Sequence, residues 1–362
     1  MMTAASTGAW PRRLARAFAY PQTTSRYASL VWPGLAPAGD AGERIHARVV
    51  DAQIETPGTR SLILRTGRGW RGHQAGQFVT LYVNIDGVWQ PRCYSISSSE
   101  AQTRQIRLTI RAMAPDGVSH YLVHHLPVGA RVQISQAAGE FTLAAGADHR
   151  ARLFISAGSG ITPIMGMLAS GAADGGVEHL HYARNRHDLI FGEALGPMMA
   201  RSRGYRLHAR LTEEGAGHLD AQTLDTLCPD WRERETWVCG PAAMLRTAEQ
   251  LWAEAGIGDQ LHVERFAVAS FDAPTTETEV AVQFAASGRQ ADASGATPLL
   301  EVAEAAGLRP RYGCRMGICH SCDCVLQSGA VRDLRTGKLT NTPGVRIQPC
   351  VSAAAGPVTL DL

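Results

Sequence analysis

Lysine is almost missing from this chain. Lys338 is the one lysine in 362 residues, so nearly all of the 35 basic side chains are arginines, a bias that reads as genome composition rather than function. An excess of either charge sign is missing too: 33 acidic residues leave a formal net charge of +2, which argues against nucleic acid or an acidic polymer as partner. No apolar run reaches the ~20 residues of a membrane span. The first residues do not read as a secretory leader, and the eight cysteines show no secreted disulfide framework. A cytoplasmic, reducing location is therefore expected. One absence is local, because residues 1–39 contain no Asp or Glu while carrying Arg12, Arg13, Arg16 and Arg26. On a helix, Trp10, Leu14, Ala17 and Phe18 would share one side and Arg12 and Arg16 the other. Three readings stay open: an anchor giving peripheral contact with the inner face of a membrane, an organelle transit peptide, or a helix packed on the protein body.

Against these absences stands Tyr312-Gly-Cys314-Arg-Met-Gly-Ile-Cys319-His-Ser-Cys322-Asp-Cys324, with Cys350 downstream. Three thiols at C-x4-C-x2-C spacing and a distant fourth form the plant-type pattern for a [2Fe–2S] cluster held by Cys314, Cys319, Cys322 and Cys350. Gly313, Gly317 and Ser321 allow a tight loop whose amides turn toward sulfides and thiolates. A zinc site is the competing reading, but such sites usually pair two C-x2-C knuckles, and buried structural cysteines are the third reading. Cys324 is left as a spare thiol. Arg309, Arg311 and Arg315 flank the loop and suggest a basic surface.

The chain length suggests two to three domains. After a Pro/Gly-rich boundary at 33–39, short alternating runs at Ala47–Ala52, Thr59–Leu64, Gln77–Val83, Gln105–Ala112 and Arg131–Ser135 predict an antiparallel β-barrel, with a hairpin turn at Ile85–Val88. From about Arg150 the pattern becomes strand, glycine turn, helix. Strands at Arg152–Ala157, Glu178–Tyr182, Arg206–Leu211, Thr236–Cys239 and Leu261–Glu264 predict an α/β domain with a parallel sheet. A polar, proline-containing stretch at Phe271–Glu277 reads as a linker. A hairpin (Val280–Phe284, Arg289–Asp292) and a helix near Pro298 precede the cysteine loop. The expected division is 1–41 extension, 42–147 barrel, 148–268 α/β domain, 269–278 linker and 279–362 α+β domain of β-grasp type.

Within the barrel, Arg92-Cys-Tyr94-Ser95 places a guanidinium and a phenol on one face, fit to hold a phosphate and to lie against a flat cofactor. Gly117-Val118-Ser119 precedes an apparent helix at His120–His125 and offers amides and a hydroxyl to a phosphate. The plain alternative is a strand with an exposed Arg and a core Tyr. In the α/β domain, Gly158-Ser-Gly160-Ile-Thr162-Pro163 lacks the third glycine of a dinucleotide fingerprint. Gly158 and Gly160 still let backbone approach a pyrophosphate, with Thr162 available to cap the helix and Pro163 suited to its first position. Arg184 and Arg186 follow the second strand, with no acid between His179 and His187, which favours a 2′-phosphate and hence NADPH, NADH being the alternative.

Arg-x-Tyr-Ser, then Gly-x-Ser, then Gly-x-Gly-x-Thr-Pro in a βα domain resembles the ferredoxin–NADP⁺ reductase family. The resemblance covers roughly residues 42–362, and with the C-terminal cluster loop it implies FAD, a nicotinamide nucleotide and a plant-type ferredoxin domain. By resemblance, Arg92, Tyr94, Ser95, Gly117, Val118 and Ser119 bind flavin. Gly158, Gly160, Thr162, Arg184, Arg186 and the Cys239-Gly240-Pro241 triplet bind the nucleotide. The Cys239 thiol would pack beside the carbon that gives hydride, with Tyr94 and Ser95 at the flavin ring. A nicotinamide delivers two electrons and a [2Fe–2S] cluster accepts one, so a flavin between them supplies the storage. No covalent catalysis is needed, and His120, His124, His125 and His320 are read as helix-face or surface residues rather than bases.

The overall look is closest to bacterial reductases serving membrane fatty-acid desaturases or hydroxylases. This rests on the acid-free extension with Tyr27 and Trp32-Pro33, on Cys314–His320, on Arg332-Asp-Leu-Arg-Thr-Gly337, and on Val351–Gly356. The expected partner is accordingly a separate electron-acceptor protein of that kind. A reductase of a soluble ring-hydroxylating or CoA-thioester oxygenase is the second reading, and a cluster-bearing redox sensor the third.

Overall fold

Buried Ile45, Ala47 and Val49 alternate with exposed His46 and Arg48, and this period of two opens the first of three sheets. The computed structural model describes residues 44–113, 115, 117–143, 151–266, 279–312, 315, 317 and 322–362. The extension, the linker, Cys314, Cys319 and His320 lie outside them.

The first unit contains β1 (Ile45–Thr56), β2 (Thr59–Thr66), β3 (Phe78–Ile85), β4 (Val88–Ser95), β5 (Gln105–Arg111), α1 (Val118–His124) and β6 (Arg131–Ile134). Its antiparallel order is β4-β3-β6-β1-β2-β5. A bridge between Ile96 and Leu108, with Ser97 N–H donating to the Arg107 carbonyl at 2.8 Å, joins the two ends into a barrel. The β3–β4 turn has positive φ at Asp86 (50°) and Gly87 (83°), as a two-residue type I′ hairpin requires.

The second unit alternates β7 (Arg152–Ala157), α2 (Ile161–Ala169), β8 (Val177–Ala183), α3 (Gly192–Arg201), β9 (Tyr205–Leu211), α4 (Ala221–Leu227), β10 (Glu235–Cys239), α5 (Ala242–Glu254) and β11 (Leu261–Glu264). The sheet is parallel in the order β11-β10-β7-β8-β9. Every residue of β8 is buried, as expected of a strand covered on both faces. The strand order reverses between β7 and β10, which makes their carboxyl ends the switch-point crevice where such sheets bind ligands.

The third unit holds β12 (Val280–Phe284), β13 (Arg289–Ala293), α6 (Leu299–Ala305), β14 (Cys324–Asp333), β15 (Leu339–Thr340), β16 (Arg346–Ile347) and β17 (Ser352–Leu360). The order is β13-β12-β17-β14-β15, with β16 also on β14. β12 and β17 run parallel and the other pairs antiparallel. Leu299, Val302 and Ala303 of α6 share a core with Val282, Phe284, Leu326 and Leu360 of the sheet.

Candidate redox site

At the switch point, two motifs far apart in sequence touch through their backbones. A Cβ on Gly160 would sit 2.1 Å from the Cys239 carbonyl oxygen and 2.9 Å from the Gly240 nitrogen, so no larger residue fits without moving one strand end. Gly158 adopts φ +53°, in the left-handed region open to glycine, and begins a 3₁₀ turn that runs into α2. Thr162 does not cap that helix. The cap position is Gly160, Thr162 is the second helical residue, and its hydroxyl donates to the Ser159 carbonyl at 2.9 Å. Pro163 correspondingly occupies the third helical position rather than the first.

Cys239 is fully buried, and burial with the nearby Glu264 carboxyl pushes its thiol well above the ordinary value. Sheet register sets Ser156, Cys239 and Glu264 side by side at the strand ends. Burial raises the Glu264 carboxyl to about 7, so it can hold a proton near neutrality. Sequence reading missed Glu264. Its signal was there, since it ends a strand already assigned on the crevice side of the sheet.

The barrel packs along α2 as well as at this end of the α/β unit. A Cβ on Gly166 of α2 would lie 2.4 Å from the Ile96 carbonyl oxygen, and one on Gly76 would lie 2.6 Å from the Met167 side chain. Glu100 N–H donates to Ser170 Oγ at 3.0 Å, Trp237 Nε1 donates to the Thr142 carbonyl at 3.3 Å, and the Arg107 guanidinium lies 4.8 Å over the Phe191 ring. Arg111, the last residue of β5, places Nη1 3.0 Å from where a Gly158 Cβ would be. A cation thus stands against the glycine loop that has to meet a pyrophosphate. Sequence reading missed Arg111 because only the packing of the two units brings it there.

On β4, Tyr94 pairs with Val79 and Arg92 with Leu81, so both lie on one strand face as alternation predicts. The Tyr94 ring packs against the barrel core, and burial raises its phenol above the usual range. Arg92 Nη1 donates to the Pro91 carbonyl at 2.7 Å and forms no ion pair among the described residues. Ser95 is buried at the end of the strand, next to the Ile96 contact with α2. Gly117 is the N-cap of the seven-residue α1 and Val118 its first residue. The Ser119 hydroxyl accepts from the Met113 amide at 3.1 Å, which leaves its own proton to donate. His120, His124 and His125 contact one another through their rings, the closest pair at 4.4 Å between centroids.

Past β8 the structure modifies the reading of Arg184 and Arg186. No acid lies from His179 to His187, but Asp188 follows at once, and Arg184 Nε pairs with it at 2.8 Å. Asn185 donates to Glu213 at 2.9 Å, and the Arg186 amide donates to Glu214 at 3.3 Å. Both arginines are solvent-exposed, with acids from the β9 loop on one side of them.

In the third unit, Cys322 and Cys350 are buried with Sγ atoms 3.3 Å apart. That exceeds the ~2.05 Å of a disulfide and suits two thiolates turned toward one metal. They share a small apolar cluster with Leu300 and Val351, against which Tyr312 packs. Cys324 packs elsewhere, in the core between sheet and helix with Val282 and Leu326. Arg315 is not an open surface cation: both terminal nitrogens bind Glu304, at 3.0 and 2.5 Å, and its guanidinium lies 4.0 Å over the Tyr312 ring. Arg309 and Arg311 are exposed.

Three family models match the chain in this order: oxidoreductase FAD-binding domain over residues 46–143, oxidoreductase NAD-binding domain over 154–250, and 2Fe-2S iron-sulfur cluster binding domain over 283–354. The chain belongs to the ferredoxin-reductase family of flavoproteins that carry a C-terminal [2Fe–2S] domain. It is an oxidoreductase using FAD, NAD(P)H and a [2Fe–2S] cluster. A Mycobacterium tuberculosis protein described as an NADPH oxidoreductase is 40% identical over 329 residues, covering 89% of this chain and 85% of that one. The ferredoxin reductase component of a 3-ketosteroid-9-alpha-monooxygenase from the same species is 30% identical over 314 residues, covering 79% and 85%. Among solved structures, phthalate dioxygenase reductase shares the fold with a TM-score of 0.60 at 22% identity, covering 88% of this chain and 98% of that one. No helix of the described residues is long and apolar enough to cross a membrane.

Proposed function

We propose that this chain is the reductase component of a separate oxygen-activating enzyme, taking hydride from NADPH and releasing single electrons through its cluster. When bound, FAD and the [2Fe–2S] cluster supply the step from an electron pair to single electrons. The protein's own part is positioning. The observation that carries the reading is the junction of Gly160 with Cys239 at the switch point, with Arg111 of the barrel against Gly158. The nucleotide loop and the flavin unit meet there. Cys239, Tyr94 and Ser95 are assigned to the reacting rings, and Arg92 with Gly117, Val118 and Ser119 to the flavin phosphates. Gly158, Gly160, Thr162, Gly240 and Pro241 are assigned to the nucleotide, and Cys314, Cys319, Cys322 and Cys350 to the cluster.

NADPH is preferred because Arg184 and Arg186 stand where the ribose is read, and the M. tuberculosis relative described as an NADPH oxidoreductase supports that preference. Asp188 engages one edge of Arg184, which gives Arg186 the larger share. A charge-assisted bond to a 2′-phosphate contributes about 1.5–3 kcal/mol, so losing one costs roughly tenfold or more in binding. NADPH-driven reduction of cytochrome c or ferricyanide is expected, with kcat/KM higher for NADPH than for NADH. Arg184→Ala/Arg186→Ala should remove that difference. Equal use of both coenzymes by the unaltered protein would contradict the coenzyme assignment. Failure to reduce either acceptor with any nicotinamide would contradict the reductase reading and favour the sensor.

For the acceptor, relatives described as reductase components of 3-ketosteroid and glycine betaine monooxygenases support an oxygenase. The narrower reading, a membrane fatty-acid desaturase or hydroxylase, rests on the sequence resemblance and on an extension outside the described residues. Arg309 and Arg311 are the cations proposed for the exit face, with Arg315 removed from that set.

A further inference from the structure

We infer that Arg335 is a positioning residue for the iron–sulfur cluster, fixing the two separate parts of its ligand set against each other and balancing the Asp333 carboxylate beside the cluster loop. The inference rests on the ligand set proposed above. In sequence, Gly317 lies between Cys314 and Cys319, while Gln348 lies two residues before Cys350. One guanidinium reaches both. Arg335 Nη1 donates to the Gly317 carbonyl at 2.9 Å, and Nη2 donates to Gln348 Oε1 at 3.3 Å.

The arginine is itself held. Its Nε and Nη2 donate to the two Asp333 oxygens at 3.2 and 2.7 Å, and Asp333 Oδ1 also accepts from the Arg335 and Thr336 amides at 2.8 and 3.2 Å. Next to it, the Leu334 amide donates to the carbonyl of Val351, the residue after Cys350, at 2.7 Å. Gly317 has φ +70°, and a Cβ there would lie 2.4 Å from Arg335 Nη1 and 2.7 Å from a Val351 methyl. The glycine is therefore what lets the guanidinium lie directly on the loop.

Two consequences follow from elementary electrostatics and outer-shell chemistry. Arg335 balances the Asp333 carboxylate, so removing the arginine alone leaves an unpaired negative charge beside the cluster loop; reducing the cluster adds one more, and the potential falls. A group that orients ligands from outside the first sphere typically matters about 10–100-fold in metal affinity. Charge and fork geometry are separable, because lysine keeps the first and loses the second.

The test uses the full-length holoprotein with Arg335→Gln and Arg335→Lys. The readouts are the first-order loss of the cluster's visible circular dichroism under chelator and the midpoint potential from an EPR-monitored titration. Arg335→Gln should lose its cluster roughly tenfold faster than the unaltered protein and show a lower potential. Arg335→Lys should keep the potential near its original value while still losing the cluster faster. If Arg335→Gln matches the unaltered protein in both readouts, or if both variants lose the cluster with no difference in potential between them, the inference is overturned. Should Arg335→Gln retain no cluster, Asp333→Asn decides: faster loss supports the inference and unchanged loss overturns it. Absence of iron and labile sulfide from the unaltered protein would instead overturn the cluster assignment itself.

Discussion

Replacing Cys350 with serine is expected to abolish the [2Fe–2S] cluster, while Cys324→Ser leaves it bound. Both thiols are buried, and burial alone does not separate them. Their surroundings do. Cys350, which the chain reaches from Cys322 only after passing through β14, β15 and β16, lies 3.3 Å from it. Cys324 follows Cys322 by two residues, yet as the first residue of β14 it packs into the opposite apolar core with Val282 and Leu326. Iron and labile sulfide should fall away together in Cys350→Ser, and cytochrome c reduction should be lost while NADPH still bleaches the flavin. The ligand assignment fails if Cys324→Ser removes the cluster and Cys350→Ser does not.

Gly160→Ala is expected to slow hydride transfer from NADPH by about 100-fold or more, in keeping with the cost of a misplacement near 1 Å at a reacting centre. The cause is not backbone strain, since Gly160 has an ordinary helical φ of −61°. It is the Cys239 carbonyl oxygen, 2.1 Å from the new methyl group. Relief requires the glycine loop and the end of β10 to part, which disturbs the pyrophosphate cradle and the Cys239 thiol together. Flavin and cluster contents should be normal, and dithionite should still reduce the cluster. Anaerobic stopped-flow bleaching of the flavin by NADPH reads the effect. A rate equal to that of the unaltered protein would mean that this contact does not shape the site.

The α/β unit was the most legible part of the chain. Its strands β7 and β10 run directly into Gly158 and Gly240, and Arg152–Ala157 and Leu261–Glu264 begin and end where the sequence predicts. In the barrel, the sequence puts Arg92–Ser95 at a strand end after the Ile85–Val88 turn but does not show where that strand begins, since Trp89-Gln90-Pro91-Arg92 breaks the apolar alternation and Pro91 donates no ladder bond. Its chemistry was legible all the same, because Arg92 and Tyr94 are two residues apart whatever the strand's boundaries. What stayed hidden was set by juxtaposition. Asp188, four residues after Arg184, was within reach of a local reading, but Arg111 lies against a loop of another unit and Arg315 finds Glu304 across the end of α6. Local sequence carries no record of such partners.

The route of the electrons is the central claim, and rapid mixing with NADPH under anaerobic conditions tests it most directly. Flavin absorbance and the EPR signal of the reduced cluster are followed in the same protein, with and without its flavin. The account predicts that flavin bleaching comes first, that the cluster signal rises afterwards, and that removing the flavin abolishes the rise while dithionite still produces it. A cluster signal appearing at full rate in flavin-free protein would contradict it.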